Sequence, residues 1–365
     1  MSDMNLKILQ VMPEFGVAGA EIMCESLVNE FLKSPNVTIY VVSLYNYKSP
    51  ITQRLEEKGV KIFYLDKRKG LDLSMIFKLF KLMKKLQINV VHTHRYVMQY
   101  AIPAADLARV PIRVHTLHSV AQKENGKLAR ILASFFYKFR HVVPVAISPR
   151  VKDTVYEVYH ISEFDIPMVF NGIDLSLCQK KDNYVCQKDV FSFIHIGRLI
   201  TLKNQELIIN SVKLLHNQGI KCRVLFLGEG ENLTYYRKIT SDLDLNDSVL
   251  FCGMQSDVHP FLHEADAFLL PSIYEGMPMS LIEAMGSGLP IIASNVGGVP
   301  DMIDNQKNGI LITPELDELV CAMKTLILNK DMREFLGKNA LAKARTFSSQ
   351  RMMNSYYDIY KSRLH

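Results

Sequence analysis

Two acids, Glu275 and Glu283, stand where the 365-residue chain changes character. Apolar residues 267–270 read as a short buried strand, which Pro271, Ser272, Gly276 and Pro278 break. A helical pattern then runs through Met285, and Gly288 and Pro290 end it before a second strand at 291–293. The acids therefore sit where a strand gives way to a helix N-terminus, the edge of an open α/β sheet that holds ligands. That terminus offers unpaired N–H groups and a partial positive charge, which suit phosphate. Acids beside it fit a ligand with hydroxyls as well as phosphates, such as a nucleotide sugar. Glu283 has a second reading. Ser280-x-x-Glu283 fits a capping box, in which the acid only satisfies the helix start, although Pro278 argues for an earlier start that places Glu283 within the helix.

Gly197-Arg198-Leu199 follows an apolar strand at 191–196, and Lys203 comes five residues after Arg198. Two cations at a strand–helix junction can neutralise a diphosphate, on which negative charge builds as a bond to it breaks. Arginine offers a fork for paired oxygens and lysine a mobile point charge. The competing reading is a solvated basic patch. The Gly16–Gly19 loop before another helix can turn N–H groups toward phosphate, or be a plain tight turn. Glu21 falls in that helix's first turn, where the helix field favours an acid. His92, His94, His115 and His118 gather near the C-terminal ends of two strands. No acid is close in sequence and no His-Glu-x-x-His occurs, so a metal site is disfavoured. His118, just beyond its strand, is the candidate partner for a sugar hydroxyl or phosphate. His92 and His115 also read as satisfied core residues.

These residues need a scaffold, and the patterning supplies two. Strands are expected at 6–12, 37–44, 60–65, 90–92, 114–117, 143–147 and 168–170. Helices at about 20–32, 51–58, 73–86, 99–108, 127–140 and 149–159 alternate with them. The polar segment 178–189 is the best linker. A second series follows: strands at 191–196, 224–228, 249–251, 267–270 and 291–293, with helices at 204–216, 235–243, 259–264, 315–328 and 331–341, and a tyrosine-rich helix at 348–362. Strand–helix alternation implies parallel sheets covered on both faces, hence two Rossmann-like domains with a cleft between them. The expected division is 1–177, 178–347 and a terminal helix in 348–365. Neither first turn carries Gly-x-Gly-x-x-Gly, and Gly228-Glu229-Gly230 lacks the third glycine, which weakens a nicotinamide dehydrogenase.

Composition is that of a globular protein, 48% apolar and 22% charged, with no apolar run long enough to span a membrane and no secretory signal pattern. Six cysteines are scattered without a Cys-x-x-Cys pair, which reads as reduced and cytosolic. The net charge of +6 is uneven: residues 1–180 hold 24 Lys/Arg against 16 Asp/Glu, the remainder 19 against 21. The first half is thus the face toward an anionic partner. Residues 67–86 interleave seven Lys/Arg with Leu73, Ile76, Phe77, Leu79, Phe80 and Leu82, and 127–140 mix Lys127, Arg130, Lys138 and Arg140 with Leu128, Ile131, Leu132, Phe135 and Phe136. Such helices suit an anionic membrane surface, or simply cover the sheet with lysines in water. Nucleic acid is disfavoured, since no binding module is present.

Glu275-Gly276-Met277-Pro278, Glu283-Ala284-Met285, Gly288-Leu289-Pro290 and Gly297-Gly298-Val299-Pro300-Asp301, in this order, resemble the family-4 retaining glycosyltransferases of GT-B fold. Ala18-Gly19-Ala20-Glu21, His92-Thr93-His94, Asn171-Gly172-Ile173-Asp174, Gly197-Arg198-Leu199 with Lys203, and Asn308-Gly309 extend the resemblance over nearly the whole chain. Where that family has a glycine pair before Ala-Glu, this chain has Ala18-Gly19.

The resemblance implies transfer of a sugar from a UDP- or GDP-sugar to a hydroxyl of a saccharide acceptor, with retained configuration and no cofactor or divalent metal. It assigns Gly19, with Gly16, to the donor phosphates and His118 to the donor sugar near its C6 hydroxyl. Arg198 and Lys203 go to the diphosphate, Glu275 to sugar hydroxyls near C3 and C4, and Glu283 to the ribose. The backbone from Gly276 through Met277 and Pro278 to Met279 goes to phosphate and sugar. The base is expected near Gly228 and the Gly253–Asp257 loop. The last helix is expected to pack back on the first domain. That domain is expected to bind the acceptor, undecaprenyl-diphosphate-linked or soluble, in cell-surface polysaccharide synthesis, as a cytoplasmic protein peripheral on the inner membrane face. A nucleotide-sugar epimerase, a phosphorylase-like enzyme and a noncatalytic sugar-nucleotide binder are the alternatives.

Overall fold

The computed structural model describes residues 5–16, 18–124, 126–186 and 190–363. The chain divides into two units, Met1–Gly172 with Ser349–His365, and Ile173–Ser348. The first holds β1 (Leu6–Met12), α1 (Gly19–Leu32), β2 (Val37–Ser43), α2 (Pro50–Glu57), β3 (Lys61–Tyr64), α3 (Ser74–Leu86), β4 (Val90–His94), α4 (Met98–Ala108), β5 (Ile112–Leu117), α5 (Ala121–Glu124), α6 (Lys127–Phe139), β6 (Val142–Ala146) and α7 (Pro149–Tyr159). Its strands form one parallel sheet in the order β3-β2-β1-β4-β5-β6. β1, β4 and β6 are almost wholly buried, as strands covered on both faces must be.

The second unit holds β7 (Phe191–Ile196), α8 (Gln205–Asn217), β8 (Cys222–Leu227), α9 (Leu233–Asp242), β9 (Val249–Phe251), α10 (His259–Glu264), β10 (Ala267–Leu270), α11 (Met279–Gly286), β11 (Ile291–Ser294), β12 (Ile310–Ile312), α12 (Leu316–Leu328) and α13 (Lys330–Ala344). Its sheet is again parallel, in the order β12-β11-β10-β7-β8-β9. Phe193, Phe226, Ile208, Val212, Leu269 and Met323 lie in one buried cluster that joins the sheet to its helices.

α14 (Ser349–Lys361) belongs to the first unit. Met352, Met353, Tyr356 and Tyr360 form its buried stripe. Tyr360 stacks on Phe31 of α1 with ring centroids 5.9 Å apart, and the Ser349 hydroxyl donates to Glu30 at 2.7 Å.

Several expectations shift. β4 runs to His94, two residues past its expected end, because its pairing with β5 continues through His94 and Thr116. Residues 168–170 form no strand, only a bridge from Met168 to Ala146. α5 and β12 were not expected; at four and three residues they are too short for a period to show. The expected linker is also different. The units change at Gly172–Ile173, and 178–186 packs on the second unit. The Lys181 ammonium donates to Ala265 O at 2.6 Å, and the Tyr184 hydroxyl to Gly288 O at 2.8 Å. Residues 187–189 of that segment lie outside the described residues.

Candidate active site

In the second unit, crossovers run outward from β7 to β8 and β9, then return to β10 and continue to β11 and β12. The order therefore reverses between β7 and β10. A doubly wound sheet opens a crevice beyond the strand ends at that point. The residues after β7 and β10 are Gly197–Lys203 and Pro271–Pro278, so the fold places Arg198, Lys203 and Glu275 there.

The Lys203 ammonium donates to Glu275 Oε1 at 2.6 Å, and the Ser272 hydroxyl donates to the same oxygen at 2.6 Å. The two charged side chains are only 19% and 8% exposed. Lys203, expected at a diphosphate, and Glu275, expected at sugar hydroxyls, thus form one ion pair. The Ile273 N–H donates to Leu202 O at 2.9 Å, which ties the two loops together beside it. A Cβ on Gly197 would stand in ordinary van der Waals contact with Lys203, 3.4 Å from its Cε, so this glycine lies directly against the Lys203 side chain. Arg198 is exposed, and no side chain among the described residues pairs with it.

Two glycines make the tightest approaches among the described residues. At Gly228, φ is +137°, and an added Cβ would stand 2.1 Å from Gly197 O. Its N–H donates to Gly253 O at 2.8 Å, so the loops after β7, β8 and β9 are stacked together. At Gly297, an added Cβ would stand 1.7 Å from Glu275 O. The loop after β11 therefore presses directly on the backbone that carries Glu275.

α11 begins at Met279, with extended Pro278 as its N-cap and no side-chain cap bond. Glu283 lies a full turn inside, so the Ser280-x-x-Glu283 capping box does not form. Gly276, Met277 and Pro278 lead into the helix start, with Met277 and Met279 buried. The Glu283 carboxyl is pushed up to about 7, chiefly by burial; His259 opposes the shift and Asp257 adds to it. Asp257 in turn holds His259 Nδ1 at 2.8 Å.

In the first unit the order reverses between β1 and β4. The Gly16–Gly19 loop follows β1, Arg95 follows β4, and His118 follows β5. Gly19 is the first residue of α1, after Ala18, which makes no side-chain cap bond. A Cβ on Gly16 would meet nothing within 4 Å, so the backbone there faces open space. Glu21 is more than a field-favoured acid: it is buried, and its Oε1 accepts from Arg95 at 2.7 Å.

The histidines bond to one another and to polar core residues. His92 meets the Tyr360 hydroxyl and Thr116 Oγ1, each at 2.7 Å, and is a satisfied core residue. His115 Nδ1 meets Thr93 Oγ1 at 2.9 Å, while its Nε2 is buried without a partner. His94 Nδ1 lies 3.0 Å from His118 Nε2. Burial holds all four rings well below the ordinary imidazole range, His118 at about 3. They are neutral and suited to hydroxyls rather than to charge pairing. Among the described residues no group of three or more His, Cys, Asp or Glu is arranged to hold a metal ion.

Sequence reasoning missed several supports. Buried His195 on β7 donates from Nδ1 to Leu269 O at 2.9 Å, and its Nε2 faces the Gln205 amide nitrogen at 3.1 Å. That amide also donates to Arg198 O at 2.8 Å, which fixes the turn carrying Arg198. Ser272 and Gly297 brace Glu275. The legible signal for His195 was a polar residue inside an apolar strand.

Comparison with known proteins agrees. Residues 17–177 match the family model described as Glycosyltransferase Family 4, and 179–343 match Glycosyl transferases group 1. An Escherichia coli protein named UDP-Gal:alpha-D-GlcNAc-diphosphoundecaprenol alpha-1,3-galactosyltransferase is 26% identical over 91% of both chains. The Staphylococcus aureus capsular polysaccharide biosynthesis glycosyltransferase CapH is 27% identical over 80% of this chain and 82% of its own. The crystal structure of HepE from Anabaena in complex with UDP-glucose superimposes with a TM-score of 0.85, at 18% identity, over 98% of this chain and all of that one. Two parallel sheets in two Rossmann-like units, with family matches across both, make this chain a GT-B glycosyltransferase of the family 4/group 1 type that acts on a nucleoside-diphosphate sugar.

Proposed function

We propose that the protein transfers a hexose from a UDP- or GDP-sugar to a hydroxyl of a lipid-linked saccharide, with retention of configuration and without a divalent metal. The observation that carries this reading is the Lys203–Glu275 pair beside exposed Arg198, at the reversal point of the second sheet. Arg198 and Lys203 neutralise the diphosphate as charge builds on it, with help from the N–H groups at the start of α11. Glu275 accepts from sugar hydroxyls and Glu283 from the ribose. Gly16 and Gly19 let backbone approach the phosphates, and His118 meets the transferred sugar near its C6 hydroxyl. The base lies by Gly228 and Gly253. No side chain is assigned as a covalent nucleophile; the leaving phosphate takes the acceptor hydroxyl's proton on the same face of the sugar. The E. coli relative's name, with its UDP-galactose donor and diphosphoundecaprenol acceptor, favours a UDP-sugar and a polyprenyl-diphosphate-linked saccharide here.

We infer peripheral membrane contact from the first unit. On α6 only Ala133, Phe136 and Tyr137 are buried. Leu128, Ile131 and Phe139 are 83%, 69% and 66% exposed, so this apolar face does not cover the sheet. The Arg140 guanidinium lies over the Phe135 ring, 5.4 Å from its centroid. On α3, Phe77 is exposed together with Lys78, Lys81, Lys84 and Lys85. Both helices flank α4. Apolar side chains ringed by cations fit an anionic bilayer surface on the cytoplasmic side. No helix among the described residues is long and apolar enough to cross a membrane.

The deciding experiment offers the purified protein a panel of nucleotide sugars with a polyprenyl-diphosphate saccharide and detects product by mass spectrometry. Product from one UDP- or GDP-sugar, with the anomeric configuration of the donor and undiminished by EDTA, is expected. Turnover that EDTA abolishes and magnesium restores would overturn the metal-free mechanism. Inverted product would overturn retention.

A further inference from the structure

Gln10 on β1, His94 at the end of β4 and His118 just past β5 stand in a row, because those strands are neighbours in the sheet. Gln10 Oε1 lies 2.8 Å from His94 Nε2, and His94 Nδ1 lies 3.0 Å from His118 Nε2. An amide oxygen only accepts, so His94 Nε2 must carry that ring's proton. A neutral imidazole has one such proton, so His94 Nδ1 is an acceptor. His118 Nε2 must then donate to it, which leaves a lone pair on His118 Nδ1.

The direction of the row depends on the Gln10 amide, whose oxygen rather than nitrogen faces His94. The amide nitrogen is buried with no hydrogen-bond partner among the described residues. Both rings are neutral, since burial and the neighbouring His92, His115 and Arg95 all oppose a positive charge. Glu124 accepts from the backbone N–H groups of His118 and Ser119, and its Oε1 is buried without a partner among the described residues.

We propose that Gln10 and His94 are positioning residues that hold His118 as its Nε2–H tautomer, so that Nδ1 meets a ligand as a hydrogen-bond acceptor. A hydroxyl can donate to that nitrogen. A carboxylate or phosphate oxygen would face a lone pair with no proton between them. Resting on the reading that His118 meets the transferred sugar, this selects a neutral hexose with a hydroxyl at that position and rejects a hexuronic acid.

Histidine-labelled protein and long-range 1H–15N NMR read the tautomers directly, in the absence of any ligand. The expected spectrum shows His94 and His118 protonated at Nε2. A His118 protonated at Nδ1 would overturn the proposal. Gln10→Leu, checked for native melting, should allow both tautomers. It should lower the ratio of kcat/KM for a nucleotide hexose over its 6-deoxy analogue about tenfold, the loss of one hydrogen bond. An unchanged ratio in the folded variant would refute the role of Gln10, and the wild-type spectrum decides the matter if that variant does not fold. Absence of turnover with every nucleotide sugar would defeat the functional reading while leaving the tautomer result intact.

Discussion

Replacing Glu275 by Gln and Lys203 by Met, singly and together, should show the two side chains acting as one. At the 2.6 Å separation of their charged atoms, Coulomb attraction with an effective dielectric constant of about 20 is roughly 6 kcal/mol. Removing both charges from water offsets much of that, and a net contribution of about 1.5–3 kcal/mol remains for a charged hydrogen bond. Glu275→Gln leaves a mostly buried ammonium beside a neutral amide. Lys203→Met leaves the carboxylate with the Ser272 hydroxyl alone. Each single variant should therefore lose about 1.5–3 kcal/mol, which for a unit of this size lowers its melting temperature by roughly 3–12 °C. The double variant should lose little more than the worse single one. In transfer assays each single change should cost roughly 30–1000-fold in kcat/KM, corresponding to about 2–4 kcal/mol of transition-state stabilisation. The double variant should fall no more than about tenfold further. Urea melts of the four proteins and initial rates with the preferred donor supply the cycle. Effects that add within about 0.5 kcal/mol would mean the pair is not coupled, and the reasoning would fail.

Donor affinity should rise with pH. Glu283 has a carboxyl pushed up to about 7 by burial, and ribose hydroxyls bind the ionised form, so affinity for the nucleoside diphosphate should increase about tenfold from pH 6 to pH 8. Calorimetry checks this, and Glu283→Gln should abolish the dependence. Stability moves the other way: an acid whose folded pKa is raised binds its proton more tightly when native, so this term favours the fold at low pH and is lost as pH rises through about 7. Gly297→Ala puts a Cβ against the Glu275 carbonyl, where backbone cannot yield, and should cost roughly 3 kcal/mol of stability with a parallel loss of transfer. Flotation with anionic liposomes should recover the wild-type protein at low salt and release it at high salt. Ile131→Ser with Phe139→Ser should weaken recovery at least tenfold; salt-insensitive binding, or none, would count against the membrane surface.

Much of the scaffold was legible because strand and helix differ in period, and because alternation of the two admits few topologies. β7, β9, β10, α7 and α10 have the expected ends. Elements of three or four residues, such as α5 and β12, carry no period. The end of β4 is set by a pairing partner 22 residues away, as in Thr93 with His115, and not by its own residues. The segment 178–186 looked like a linker because it is polar. Its Lys181 and Tyr184 side chains are instead spent on backbone carbonyls of the second unit, a use that composition cannot distinguish from solvation.

The same division runs through the candidate site. Residue type and local order, by themselves, determined that Arg198, Lys203 and Glu275 follow strand ends and that Glu283 lies in the helix that comes next, because those chemistries and breakers are written locally. Only tertiary structure decided what they meet. Lys203 and Glu275 are 72 residues apart and form a pair because β7 and β10 become neighbours at the sheet's reversal point. Pro278 rather than Ser280 caps α11, so the capping reading of Glu283 gives way. α6 exposes the apolar face that its sequence left open to either use, since burial depends on what the rest of the chain has already covered.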